Sequence, residues 1–516
     1  MKKLTIASLA CVLLFTACNK TYNSDQITSE AVDNLQQTQL QTPQQINAFI
    51  QQVLNQKGEF NWSDAPLITL YSAVMQSKDH MVSVGYKPAD EKNVEQQLTT
   101  INLRDNKWSS AKMQVIQMIL QEEQVLHPSL KAGNIEIWKE NKLPVMNVRI
   151  DNINTLRLLR SSNLVRYAEP MGYEPEDFDA ALREQLQQAV DAGSGCGGYT
   201  GNANLHAGDD YIGIAPGAKQ SWDYAIHKIP NAWKKSTGTG IKIMVIDTGV
   251  SPDQDNMNSH FNQGYSSGRT LQKMFTLPGA TSADDACGHG TTMSSTAAAP
   301  RCLDSNSCGV AYNSSLIVCK AVNDVIIDGS DEVKGVTDAY TNAADDTSVK
   351  IISLSLGRLT SSSQIKDAII YAYNKGKLMF CAGGTSTAFT TWIGVIFPAT
   401  LPQVQAVTGV KESKPLSACD DCHKGTQIDF VVVMQKTGDN KNPIANAISG
   451  DVPTTVGGSS VATSTASGIA ALVWSAHPFE TREQIVQRLT TTASNYPNKT
   501  KDYGYGKLNA VAAIKQ

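Results

Sequence analysis

Ser460 lies in Gly457-Gly458-Ser459-Ser460-Val461-Ala462-Thr463-Ser464, where two glycines tighten a turn into an Ala/Ile/Leu-rich helix pattern. A serine hydroxyl presented there is a candidate nucleophile, but near neutral pH it attacks poorly unless a base takes its proton and a third group orients that base. Two upstream residues suit those roles. Asp247 ends the apolar run Ile243-Met244-Val245-Ile246, and His289 sits in Asp284-Asp285-Ala286-Cys287-Gly288-His289-Gly290-Thr291. Taken singly, Asp247 equally suits a strand-end cap, His289 a hydrogen-bonded loop histidine and Ser460 a helix N-cap. Together, in the chain order Asp, His, Ser, they make a nucleophile with its base and its orienting acid.

Such side chains need a scaffold that delivers them to one place. From Gly240 onward, the runs Ile241 to Ile246, Leu316 to Val322, Val349 to Leu356 and Lys377 to Ala382 lack strict alternation, as buried parallel strands do. Ile365, Ala368, Ile369 and Ala372 mark a helix between two of them, closed by Gly376, and Thr481-Arg482-Glu483-Gln484 opens another with a capping signature. The pattern predicts an α/β fold with a doubly wound, mostly parallel sheet. Such sheets bind ligands beyond the carboxyl ends of their strands, where Asp247 falls.

Val245-Ile246-Asp247-Thr248-Gly249, Gly288-His289-Gly290-Thr291 and Gly458-Ser459-Ser460-Val461-Ala462 resemble the three motifs of subtilisin-like serine peptidases, over a stretch from about Trp222 to about Ala513. The resemblance implies acyl transfer from a peptide or protein substrate: Ser460 attacks a peptide carbonyl, His289 moves the proton and Asp247 stabilises the imidazolium. It also implies that Ser355, Leu356 and Gly357, within Ser353-Leu354-Ser355-Leu356-Gly357, pair main chain to main chain with an extended substrate.

The chain departs from the family where Asn usually supplies an oxyanion donor, because the run reads Ala382-Gly383-Gly384-Thr385. Gly384 holds that place, leaving the Ser460 N–H, a backbone N–H near Gly384 or the Thr385 hydroxyl as donors. Loss of one such donor costs about 10²–10³ in turnover. The competing expectation is therefore a peptidase-fold protein that binds extended peptides with little or no catalysis. Thr292 and Ser464 replace the family's usual His and Pro beside the site, and related acid peptidases that use Glu are disfavoured by His289. Calcium often stabilises the family, yet no segment reads as an oxygen-ligand loop, so neither metal nor cofactor is expected.

The remaining chain organises around that domain. Lys2 and Lys3 precede a short apolar run, Leu4 to Phe15, typical of an export signal, and Leu14-Phe15-Thr16-Ala17-Cys18 resembles a lipobox with Phe15 in the usual Leu place. The expectation is a lipoprotein-type signal peptide over 1–17, lipidation of Cys18, and a bacterial envelope location facing the periplasm or the surface. Residues 18–173 form a Gln- and Asn-rich unit. Thr42-Pro43-Gln44-Gln45 starts a helix, and a strand near 145–150, a helix near 154–160 and a strand near 164–170 resemble the tail of a subtilase propeptide, implying an intramolecular inhibitor and folding aid. An accessory α+β domain that is never removed is the alternative. Residues 174–217, acidic and then Gly-rich, read as a linker in which a maturation cut would release the catalytic part, residues 218–516, from its anchor. With 44 basic and 48 acidic residues and no basic block, nothing points to nucleic acid. Among the cysteines, Cys302 and Cys308 flank a polar loop and read as a bridge. Cys319 and Cys381 fall in apolar strands as free thiols, and Cys287 suits either a thiol or a disulfide. Cys419-Asp420-Asp421-Cys422-His423 reads as a disulfide before zinc, for want of a second ligand pair.

Overall fold

The computed structural model describes residues 39–140, 142–175, 195–385 and 394–516. The signal-like segment and Cys18 lie outside the described residues, and Leu40–Gln516 forms one contiguous unit. Among the described residues no helix is long and apolar enough to cross a membrane.

The first part of that unit holds helices α1 (Pro43–Lys57), α2 (Leu67–Gln76), α3 (Asn106–Glu123) and α4 (Ile153–Ser161) against strands β1 (Met81–Tyr86), β2 (Glu136–Trp138), β3 (Val145–Arg149) and β4 (Val165–Pro170). The strands form an antiparallel sheet in the order β2-β3-β1-β4. Thr42 caps α1 with a reciprocal capping box, Pro43 occupies the first helical turn, and Ile46, Ile50, Val53 and Leu54 are buried. The sequence expectation for this helix and for the strand-helix-strand tail is met within two residues.

After a small hairpin, β5 (Tyr211–Ile214) and β6 (Ala218–Ser221), the chain builds a seven-stranded sheet from β7 (Lys242–Asp247), β8 (Leu271–Phe275), β9 (Ser315–Lys320), β10 (Val349–Leu354), β11 (Leu378–Ala382), β12 (Gln405–Lys411) and β13 (Phe430–Gln435). Its order is β13-β12-β11-β10-β7-β9-β8, and every pairing is parallel. The fold is α/β, with helices α5 (His289–Ala298), α6 (Ser330–Asp345), α7 (Ser363–Asn374), α8 (Gly458–Ala476) and α9 (Arg482–Thr492). Central strands buried on both faces explain apolar runs such as Ile243 to Ile246. Helix α8 is built of small and apolar residues all round and is buried along most of its length. Its Gly468 lets Val310 approach where a Cβ would stand only 2.6 Å away.

The antiparallel sheet docks on α7. Arg166 reaches Asp367 with bonds of 2.6 and 2.8 Å, Tyr167 donates to the same carboxylate at 2.9 Å, and Ser83 and Asn147 each donate to Gln364 at 2.6 Å. Glu169 accepts from the backbone N–H and the hydroxyl of Ser363 at the start of α7, where a carboxylate meets unpaired N–H groups. Just beyond β4, Glu174 and Arg358 form an ion pair at 2.9 Å that is sealed from solvent.

Candidate active site

Asp247 is the last residue of β7, and His289 is the first of α5. Between them, Gly249 turns at φ +112°, where a Cβ would lie 2.3 Å from the Ala283 carbonyl, so only glycine allows that approach. Gly288, at φ +92°, then turns the chain into α5. Asp285 holds this helix start. Its carboxylate accepts from the N–H groups of Cys287, Gly288 and Thr291 and from the Thr291 and Thr248 hydroxyls, all within 3.0 Å. Thr248 in turn accepts from Gly290 N–H at 2.8 Å, tying the strand end to the helix.

The result is a 2.7 Å contact between His289 Nδ1 and Asp247 Oδ1, with both side chains buried. Burial alone would depress the imidazole pKa, but the charge of Asp247 and its hydrogen bond outweigh burial and hold His289 above the ordinary histidine value. The Tyr199 ring stands edge-on to the imidazole at 6.0 Å.

Ser460 lies in the first turn of α8, entered through Gly458 at φ +80°. Its hydroxyl donates to the Ser355 carbonyl at 3.3 Å, and the Ser355 hydroxyl donates back to the Ser460 carbonyl at 2.9 Å. Register explains why this matters. Leu354 of β10 pairs with Ile246 of β7, so Ser355 and Asp247 are the next residues along two neighbouring parallel strands, which run about 4.8 Å apart. The order β10-β7-β9 also places this edge where the sheet reverses its winding, the crevice such sheets offer a ligand. Among the described residues no hydrogen bond joins Ser460 to His289. Rotation about the serine Cα–Cβ bond is the torsion that redirects the hydroxyl from the Ser355 carbonyl.

Other expected site residues fall close by, with differences. The Gly384 N–H donates to Ser459 Oγ at 3.3 Å, and the Thr385 hydroxyl lies 3.1 Å from the same oxygen. Gly384 has φ +122°, and a Cβ there would stand 2.4 Å from His423 Nδ1. Leu356 is buried. Gly357 offers no open edge, because its N–H bonds the Val325 carbonyl at 3.4 Å and its carbonyl accepts from Ile327 N–H at 3.0 Å. Asp285, Tyr199 and His423 were not singled out for the site from sequence; an aspartate four residues before the histidine was the one local signal for Asp285.

The cysteines require one correction. Cys302 and Cys308, read as a bridge, are both free and buried. Their sulfurs turn to different carbonyls, Cys302 to Asn306 and Cys308 to Gly309, and burial pushes the Cys302 thiol up to about 12. Cys419 bonds Cys422, whereas Cys287 bonds Cys196, fixing a segment of the 174–217 stretch two residues before His289. Cys319 and Cys381 are free and buried, as their apolar strands imply. Far from this edge, Glu123, His127 and Asp151 bring ligand-type atoms together in the antiparallel-sheet region. Their lone pairs are already engaged, Asp151 by His80, His127 and Arg149, and Glu123 by Asp151 N–H, Asn152 N–H and the Thr155 hydroxyl.

Residues 238–506 match the sequence profile of the subtilase family. Alkaline elastase YaB of Bacillus sp. (strain YaB) is 28% identical over 279 residues, which span 54% of this chain and 66% of that protein. Subtilisin E of Bacillus subtilis (strain 168) is 28% identical over 315 residues, 58% of this chain and 74% of that one. The crystal structure of MycP1 from Mycobacterium smegmatis is 20% identical, covers 61% of this chain and 87% of its own, and superposes with a TM-score of 0.46.

Proposed function

The chain belongs to the subtilase family, and from that premise we propose that it is an exported serine endopeptidase whose chemistry is carried by Asp247, His289 and Ser460. Ser460 Oγ adds to the carbonyl carbon of a peptide bond as its proton passes to His289 Nε2. The tetrahedral intermediate then expels the amine, which takes that proton from His289, and leaves an acyl group on Ser460. Water, deprotonated by His289, releases the acid and restores the hydroxyl.

The observation that carries this reading is the buried 2.7 Å contact of His289 Nδ1 with Asp247. With Nδ1–H directed at the carboxylate, Nε2 is left as the acceptor for a proton, and the raised imidazole pKa suits a base that must carry it. Ser460 bonds the residue beside Asp247 in register, which supports its part.

The N-terminal domain acts as an intramolecular inhibitor and folding aid, supported by the Arg166–Asp367 ion pair and by the Glu169 carboxylate at the start of α7. Cys18 tethers the protein to the envelope through lipid until a cut in the 174–217 stretch, before Cys196, frees the catalytic part. Labelling with a serine-directed fluorophosphonate tests the assignment. Wild-type protein should label and cleave a protein substrate, and Ser460→Ala should do neither; equal behaviour of the two would exclude the assignment. Sequencing the labelled species from its N-terminus reads the cut.

A further inference from the structure

Gly384 offers no side-chain donor at the place where the family resemblance leads one to expect Asn, but the space beside it is filled. A Cβ at Gly384 would meet the His423 ring at 2.4 Å from Nδ1, 3.0 Å from Cγ and 3.1 Å from Cε1. The imidazole therefore occupies the direction in which a residue at 384 would project.

Its backbone is held there firmly. Cys422 bridges Thr385 in antiparallel fashion, His423 N–H donates to the Gly384 carbonyl at 3.1 Å, and Thr408 donates to the His423 carbonyl at 2.5 Å. The Cys419–Cys422 disulfide closes the loop that presents it. The ring itself is 3% exposed, and neither nitrogen meets strict hydrogen-bond geometry among the described residues, although the Gly394 main chain reaches the ring and favours its protonated form against burial. Buried imidazole nitrogens without partners are costly, and a group kept that way awaits one. On its other side Gly384 bonds Ser459, the neighbour of Ser460, and N–H groups in the first turn of α8 have no intrahelical partner.

Resting on the peptidase reading, we propose that the His423 imidazole supplies the oxyanion donor that Gly384 lacks, giving its N–H to the carbonyl oxygen of the scissile bond as charge develops there, alongside the Ser460 N–H. Burial depresses the ring pKa to about 4, so it is neutral at working pH and carries one N–H, enough for a donor that surrenders no proton.

The test is steady-state hydrolysis and thermal melting of the full-length protein and its variants. His423→Phe keeps a ring without an N–H, and His423→Leu serves should the larger ring lower the Tm. Either variant should lower kcat by about 10²-fold, leave KM within about twofold and melt no lower than wild type. His423→Gln and His423→Asn restore an N–H donor, and the better placed of them should recover at least about tenfold of the lost kcat. Wild-type kcat in His423→Leu, a loss of kcat only in step with a loss of Tm, or no recovery by either amide overturns the assignment. Ser460-dependent hydrolysis by wild type separates that result from failure of the peptidase reading itself, which would remove both.

Discussion

Asp247 and burial pull the His289 proton affinity in opposite directions, and the carboxylate wins. In the proposed mechanism His289 must be neutral to accept the Ser460 proton, so the acid limb of the kcat/KM profile should lie above the ordinary histidine range, with activity lost as pH falls through it. Asp247→Asn removes the winning influence: kcat should drop by about 10⁴ and the residual acid limb should move to lower pH. A pH–rate series on both proteins measures this. A second single-residue outcome concerns Gly384. The family resemblance invites Gly384→Asn as a repair, but its φ of +122° and the imidazole at 2.4 Å oppose any side chain. The variant should lose about 1–3 kcal/mol of stability in a denaturant titration and gain no kcat.

At the level of elements, the site depends on how α5 begins. Asp285 satisfies three backbone N–H groups there and two hydroxyls, so Asp285→Ala leaves buried donors unmet. About 2 kcal/mol of stability should be lost, with a fall in kcat as the imidazole loses its fixed direction; urea unfolding and hydrolysis rates check it. The strands and helices that carry these parts were legible because local patterns encode them. Ile243 to Ile246 is apolar throughout because both faces of β7 are covered, and Thr42 and Thr481 announce helix starts through their own hydrogen bonds. Contacts between segments distant in the chain left no such trace. Nothing local distinguishes Cys302, six residues from Cys308 and unbonded, from Cys287, bonded to Cys196 at a separation of 91. His423 was visible only as a companion to two cysteines, because its packing on Gly384 arises from an isolated cross-strand bridge. The Gly357 edge was expected to be open, but the backbone of 325–327 reaches it from another loop.

Across the whole molecule, the antiparallel-sheet part and the parallel-sheet part of the chain meet along a seam of buried carboxyl groups. Glu169 is buried against Ser363; desolvation raises its pKa to about 7 despite the two hydrogen bonds and Arg358, and Asp367 pushes the same way. Glu174 is raised as well, by burial, against the opposing pull of Arg358. A carboxyl group whose docked pKa exceeds its free value favours docking fully below the free value, and that preference fades as pH rises through the docked one. Docking should therefore loosen between about pH 5 and about pH 8, seen as faster amide exchange in β4 and the first turn of α7, and Glu169→Gln should flatten the trend. The bond from Cys196 to Cys287 has a different reach. It closes a covalent ring that contains Asp247 and ends two residues before His289, and a ring of that size narrows the unfolded ensemble by about 4.6 kcal/mol. A nick outside the ring parts the chain at once, whereas a nick inside it leaves both fragments joined until a reductant arrives. Electrophoresis with and without thiol would thus report which side of Cys196 a protease has chosen.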